Sequence, residues 1–168
     1  MTPADLLADA FDRIREGVRN AVDGLSADQL AYHVDDRANM IAWLVWHLTR
    51  VQDDHVADAA GTEQVWTAQG WAQRFALPFD TAATGYGHGP DEVAAVRADP
   101  DLLAGYHDAV AERTVEYVRG LAGADLERVV DDAWDPPVTL GVRLVSVVSD
   151  DLQHVGQAGF LRGVVQRR

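Results

Sequence analysis

In the segment VVSDDLQHVGQAGF, Val147 to Phe160, Asp150 and His154 stand four positions apart. On a helix that spacing puts a carboxylate and an imidazole on one face, a single turn apart, where a helix can offer two ligands to one metal ion. A second anomaly lies in AWLVWHLTRVQDDH, where His47 is flanked by Trp43, Leu44, Val45, Trp46, Leu48 and Val51. So apolar a setting turns the imidazole toward the interior or a cleft wall. A carboxylate buried without a partner is costly, so Asp150 must reach water, pair with a cation or bind metal. If the two helices are neighbours, His47, Asp150 and His154 form a two-imidazole, one-carboxylate set with open positions. Such a set suits Zn²⁺, Ni²⁺, Fe²⁺ or Mn²⁺. A His47 hydrogen-bonded within the core, together with an Asp150 and His154 ion pair, reproduces the same pattern without metal.

Three further side chains stand where they could touch a ligand. Arg143, seven positions before Asp150, falls near the same helix face and can pair with Asp150 or hold a substrate carboxylate. Gln157, three positions after His154, can reach a bound ligand or act as a structural amide. Trp43, like Trp46, Trp66 and Trp71, can line an apolar pocket or fill a core. The other polar residues read as ordinary. Asp54 shares the helix face of His47 but is expected to be solvated, and His55 lies well off that face. Asp151 is expected at the surface, His33 and His88 in exposed loops, and His107 at the surface or its boundary. Gly156, Gly159 and Gly163 suggest close helix packing, because no strand precedes them to make a phosphate loop. Neither Ser146 nor Ser149 sits in a nucleophile-elbow context.

Helices must carry these residues. Leu6, Leu7, Ala10, Phe11, Ile14, Val18 and Val22 recur at helical spacing behind Thr2-Pro3, which predicts a first helix over residues 3–23, ended by Gly24. Asn39 is placed to cap a second helix, Met40 to Ala60, stopped by Gly61. The stretch from Gly61 to Pro90, rich in Gly, Pro and Trp, reads as a long loop with short helical pieces, followed by a short helix at Asp91 to Ala98. Leu102, Leu103, Tyr106, Val110, Thr114, Tyr117, Val118 and Leu121 mark a third helix. Pro136 and Pro137 interrupt a second loop, and residues 138–166 read as a fourth helix whose β-branched start has no visible partner strand. GLSADQLAYHVDD and GLAGADLERVVDD each follow one long helix and precede another, which suggests two helical hairpins in succession. The expected fold is all-α: one domain over residues 1–168, a four-helix bundle with long connections between the second and third and between the third and fourth helices.

Composition narrows the function. With Lys+Arg 14 against Asp+Glu 27, the net charge of −13 repels nucleic-acid backbones and anionic headgroups. All the basic residues are Arg. Cysteine is absent, which removes disulfides, thiolate metal sites and a cysteine nucleophile, so thiol chemistry needs an outside thiol. The acidic, amphipathic N-terminus lacks a signal-peptide pattern, and no apolar stretch reaches the roughly 18 residues of a membrane span. A soluble cytoplasmic protein with no nucleic-acid or membrane partner is expected.

WLVWHL around His47 and DDLQHVGQAGFLRG after Ser149 resemble the two signature helices of the DinB-like superfamily, a group of four-helix-bundle metal proteins. That group includes mycothiol-dependent maleylpyruvate isomerase and bacterial thiol S-transferases. The resemblance implies a divalent metal, Zn or Ni foremost with Fe or Mn as alternatives, on His47, Asp150 and His154. Many members carry His or Glu at the place of Asp150. It further implies a mycothiol- or bacillithiol-type thiol cosubstrate, a small electrophilic substrate and a homodimer. Two functions are therefore carried forward: a metal-dependent thiol S-transferase or related hydrolase, and a non-catalytic metal- or small-ligand-binding bundle with a degenerate site. A metal-free apolar pocket beneath the Trp-rich loop is the third reading.

Overall fold

The computed structural model describes residues 1–168, and four long helices dominate it. Helix α1, Pro3–Val22, begins with a reciprocal cap: Asp5 N–H donates to Thr2 Oγ1 at 3.1 Å and Thr2 N–H donates to Asp5 Oδ2 at 2.8 Å. It buries Phe11, Ile14 and Val18, the apolar face that the spacing predicts. A short α2, Ala27–Leu30, lies in the connection to α3, Ile41–Ala60. The N-cap of α3 is Met40, with no side-chain hydrogen bond, so Asn39 does not cap it. Met40 is fully buried, and the apolar surroundings rather than a polar cap fix this end. Gly61 ends α3 at φ +66°, a left-handed position that favours glycine.

The connection after α3 carries α4, Val65–Ala68, α5, Trp71–Phe75, and α6, Pro90–Ala95, before α7, Pro100–Arg119. After α7 come a 3₁₀ turn at Gly123–Glu127 and two short strands, β1 Val129–Asp131 and β2 Val138–Thr139, paired antiparallel. The β-branched start of the last long segment therefore has a partner strand after all, with Val129 opposite Thr139 and Asp131 opposite Val138 across the proline turn. Thr139 then caps α8, Leu140–Val165, by accepting from Val142 N–H.

The four long helices do not form two successive hairpins. Helix α1 packs on α7 and α8, α3 packs on the same two, and α1 and α3 lie diagonally with little contact. The aligned GL…DD segments are thus crossovers and not hairpin turns. Direction follows from the contacts: Arg15 and Arg19 of α1 reach Asp108 of α7 while Arg119 reaches Asp12, so these helices run antiparallel. Gly17 meets Val155 and Arg162 reaches the carbonyl of Asp23, so α1 and α8 run parallel. Thr49 meets His107 and Tyr117 meets Ala59, so α3 and α7 run parallel, which makes α3 antiparallel to α8. This up, down, down, up order requires the long 61–99 return along the bundle, which packs on α3 and α7 and brings Thr84 and Gly85 to His47.

Glycine marks close packing elsewhere than expected. A Cβ on Gly17 would stand 3.0 Å from Val155, whereas Gly156 and Gly159 have open space around them, so those two lie on an outward face of α8. No helix is long and apolar enough to cross a membrane.

Candidate metal centre

His47 enters from α3, and Asp150 and His154 enter from successive turns of α8. One ligand atom from each lies within 4.8 Å of the other two. His154 Nε2 is 3.6 Å from Asp150 Oδ1, too long for a good hydrogen bond but suited to two atoms facing one ion. Two ligands each about 2 Å from an ion stand at most about 4 Å apart, so the widest pair must draw in slightly. Asp150 Oδ2 is buried with no hydrogen-bond partner, an orphaned acceptor that a cation would satisfy. The donor set and its geometry fit a divalent transition metal.

The orientation of both imidazoles leaves Nε2 free. The carbonyl of Thr84 can only accept, so His47 Nδ1–H donates to it at 2.6 Å and Nε2 carries the lone pair. His154 Nδ1 faces Gln157 Oε1 at 3.4 Å, which likewise directs its Nε2 toward Asp150. A carbonyl or amide oxygen behind a ligating histidine fixes its tautomer and ring direction. Burial lowers the pKa of His47; the Thr84 carbonyl opposes that, and His154 and His88 add to it while Asp150 offsets them. The net lowering favours the neutral imidazole, the form that ligates metal.

Trp43 stacks on His47 with ring centroids 4.5 Å apart and presents its edge to His154 at 6.3 Å. It forms an apolar wall of the centre. Gln157 supports His154 from the helix, and Arg143 is tied to Asp131 of β1 at 2.8 Å. Arg143 therefore does not pair with Asp150 but stands one level along the seam, held by β1. His55, 38% exposed, feels Arg143, Asp54 and Asp150 at this charged end. Asp54 is not merely solvated, since its Oδ1 accepts from Gln64 Nε2 at 2.7 Å.

The loop over the centre is built in. Arg50, fully buried, donates to the carbonyl of Ala83 and to Gln64 Oε1, and its guanidinium lies over Trp66. Asp53 accepts from the backbone N–H of Val65 and of Trp66, each at 2.8 Å, and from the Tyr106 hydroxyl at 2.9 Å. It caps α4 from a distance and pins the loop to α3 and α7. The sequence WHLTRVQDD thus carries both a candidate ligand, His47, and the loop anchors Arg50 and Asp53.

Several residues take places other than those expected. His88 is half-buried, not exposed: Trp43 Nε1–H donates to its Nδ1 at 3.3 Å, and it lies between Trp46 and Phe79. The Gly-rich GYGHGP context gave no sign of this, because its aromatic partners are distant in sequence. His33 bonds the carbonyl of Ala38 at 2.9 Å. His107 is 1% exposed and meets Thr49 Oγ1 at 3.0 Å. Asp151 is fully buried with both oxygens unpartnered, and burial raises its pKa well above the ordinary value, with Asp150 adding to it. The packing of α1 against α8 encloses it; the alternating polar run SDDLQH gave a surface reading. Trp66 and Trp71 are core residues.

The family model described as Mycothiol-S-transferase matches residues 6–166. No curated protein matches the chain. Among solved structures, a conserved protein from Enterococcus faecalis is similar with a TM-score of 0.92 at 29% identity, over 100% of this chain and 99% of that one.

Proposed function

The chain belongs to the Mycothiol-S-transferase family, and from that premise we propose that it transfers a low-molecular-weight thiol to a small electrophile at a divalent metal held by His47, Asp150 and His154. One observation carries the reading: ligand atoms of two imidazoles and one carboxylate lie within 4.8 Å of one another, and the second oxygen of that carboxylate is buried without a partner. The metal, when bound, supplies a Lewis acid that lowers the pKa of a thiol at neutral pH. Zn²⁺ or Ni²⁺ is the ion proposed, and Fe²⁺ and Mn²⁺ are accommodated by the same donors.

The chain's own residues supply position and exclusion. The Thr84 carbonyl and Gln157 hold the two imidazoles, and Trp43 removes water from one side. Arg143, fixed by Asp131, would hold an anionic group of the thiol or substrate. In the transfer, a carbon–sulfur bond forms as the carbon–halogen bond, or the carbon–oxygen bond of an epoxide, breaks with its electron pair; halide leaves, or the epoxide oxygen stays on the product and takes up a proton, and the thiol proton passes to solvent. The absence of cysteine is consistent with a nucleophile that arrives as cosubstrate.

The test is turnover of alkyl halides, aryl halides and epoxides by protein loaded with each metal, with mycothiol or bacillithiol as thiol. Turnover that needs both metal and thiol and is lost in His47→Ala supports the reading. Metal-loaded protein inert across thiols and electrophiles contradicts it and favours a binding protein.

A further inference from the structure

The two flanks of the metal centre differ sharply in chemistry. Toward the start of α8, the seam carries Arg143, Asp131, His55 and Asp54. Toward the end of α8, it opens into a groove of about 420 Å³ between α8 and the segment that leads into α3. Leu44 and Leu161, both buried, form its floor, and Val34 and Phe160 rise on either side. Phe160 is 68% exposed and Val34 46%, an apolar surface without a partner within the chain. No charged residue lines the groove, in a chain of net charge −13.

Continuity with the centre comes through one side chain. Gln157 lines the groove and bonds His154, so a molecule lying there ends against a proposed ligand of the metal. Gly156 keeps the groove open: nothing stands within 4 Å of where its Cβ would be. Glycine costs an exposed helix about 1 kcal/mol relative to alanine, and here neither a positive φ nor tight packing requires it.

We infer that this groove takes the apolar body of the electrophile, so that the preferred substrates are uncharged electrophiles bearing an alkyl or aryl group, while the polar thiol approaches from the Arg143 side. Charge separation supports the assignment. A polar, hydrogen-bonding thiol body finds only the amides of Asn39 and Gln157 in a groove otherwise apolar, and an alkyl group gains nothing beside Arg143 and Asp54. The inference rests on the proposed transferase reading for the chemistry, but the groove is tested by binding alone.

The probes are vicinal alkanediols, butane to octane, which are unreactive counterparts of the alkyl epoxides, titrated into metal-loaded protein by NMR. The dissociation constant is expected to fall about two- to fourfold per added methylene. Gly156→Leu, a better helix former that fills the groove, should abolish the chain-length dependence, and Phe160→Ser, at an exposed position, should weaken it. A diol ending in a carboxylate should not bind. Affinity independent of chain length, or dependence unchanged in both variants, overturns the inference. So does a protein that sediments as a dimer, becomes a monomer in Phe160→Ser, and binds no diol, because a second copy then occupies the groove. Diols that bind as expected without any thiol-dependent epoxide turnover support the groove and defeat the transferase reading instead.

Discussion

His47 Nδ1 and the carbonyl oxygen of Thr84 are 2.6 Å apart, a bond that joins the centre of α3 to the loop above it. It assigns the proton of the imidazole to Nδ1 and leaves Nε2 facing Asp150 and His154. The loop and the site are therefore one unit: Arg50 and Asp53 hold the loop, and the loop holds the ring.

Gly85 is the tightest point of that unit. It has φ +96°, and a Cβ there would stand 2.7 Å from His47 Nδ1 and 3.0 Å from Trp46. Gly85→Ala is expected to cost about 1–3 kcal/mol from backbone strain and to weaken metal binding by displacing Thr84. Thermal melts and metal titration of the variant measure both. An unchanged affinity would show that the Thr84 contact does not set the site.

Asp53→Asn removes the charge that receives two backbone donors and the Tyr106 hydroxyl. The loss is expected to be about 3 kcal/mol, with faster amide exchange concentrated in residues 62–89 rather than spread over the bundle. Uniform exchange would place the role of Asp53 in the core instead of the loop.

Much of this organisation was readable in the sequence, and the failures share a cause. Helical spacing located all four long helices, and His47, Asp150 and His154 stood out because polar residues in apolar runs need partners. Tertiary packing decided the rest. His88, His107 and Asp151 look solvated from their neighbours in the chain, yet each is enclosed by elements distant in sequence: Trp43 and Phe79, Thr49 of α3, and the bundle core. The diagonal placement of α1 and α3 was hidden because nothing local distinguishes a hairpin turn from a crossover.

His107 makes stability depend on pH. Burial lowers its pKa to about 4, with Arg15 and Arg19 adding to this and Asp108 opposing it. The folded value lies below the unfolded one, so at pH 7 both states are neutral and nothing is lost. As the pH falls below about 6.5, the unfolded chain takes up a proton that the folded chain refuses, and stability drops until about pH 4, by a total of about 3 kcal/mol. Chemical denaturation of wild type and His107→Gln between pH 7 and 5 should show wild type losing more; parallel curves would mean that His107 is protonated in the fold.

Asp151 is expected to destabilise the fold at pH 7. It is a fully buried carboxyl with no partner on either oxygen, on the same face of α8 as Leu144 and Val147. Asp151→Ala removes the orphaned group and favours the helix, so stability should rise by about 1–3 kcal/mol. A loss of stability would reveal an internal partner for the carboxyl.

The most direct measurement is metal content by elemental mass spectrometry on protein purified without a histidine tag or chelator, in wild type, His47→Ala and His154→Ala, with reloading by Zn²⁺, Ni²⁺, Fe²⁺ and Mn²⁺. Near-stoichiometric binding of at least one of these ions in wild type, lost in both variants, is the predicted result. Wild-type protein that takes up none of them, or variants that retain the ion, would contradict a centre built on His47, Asp150 and His154.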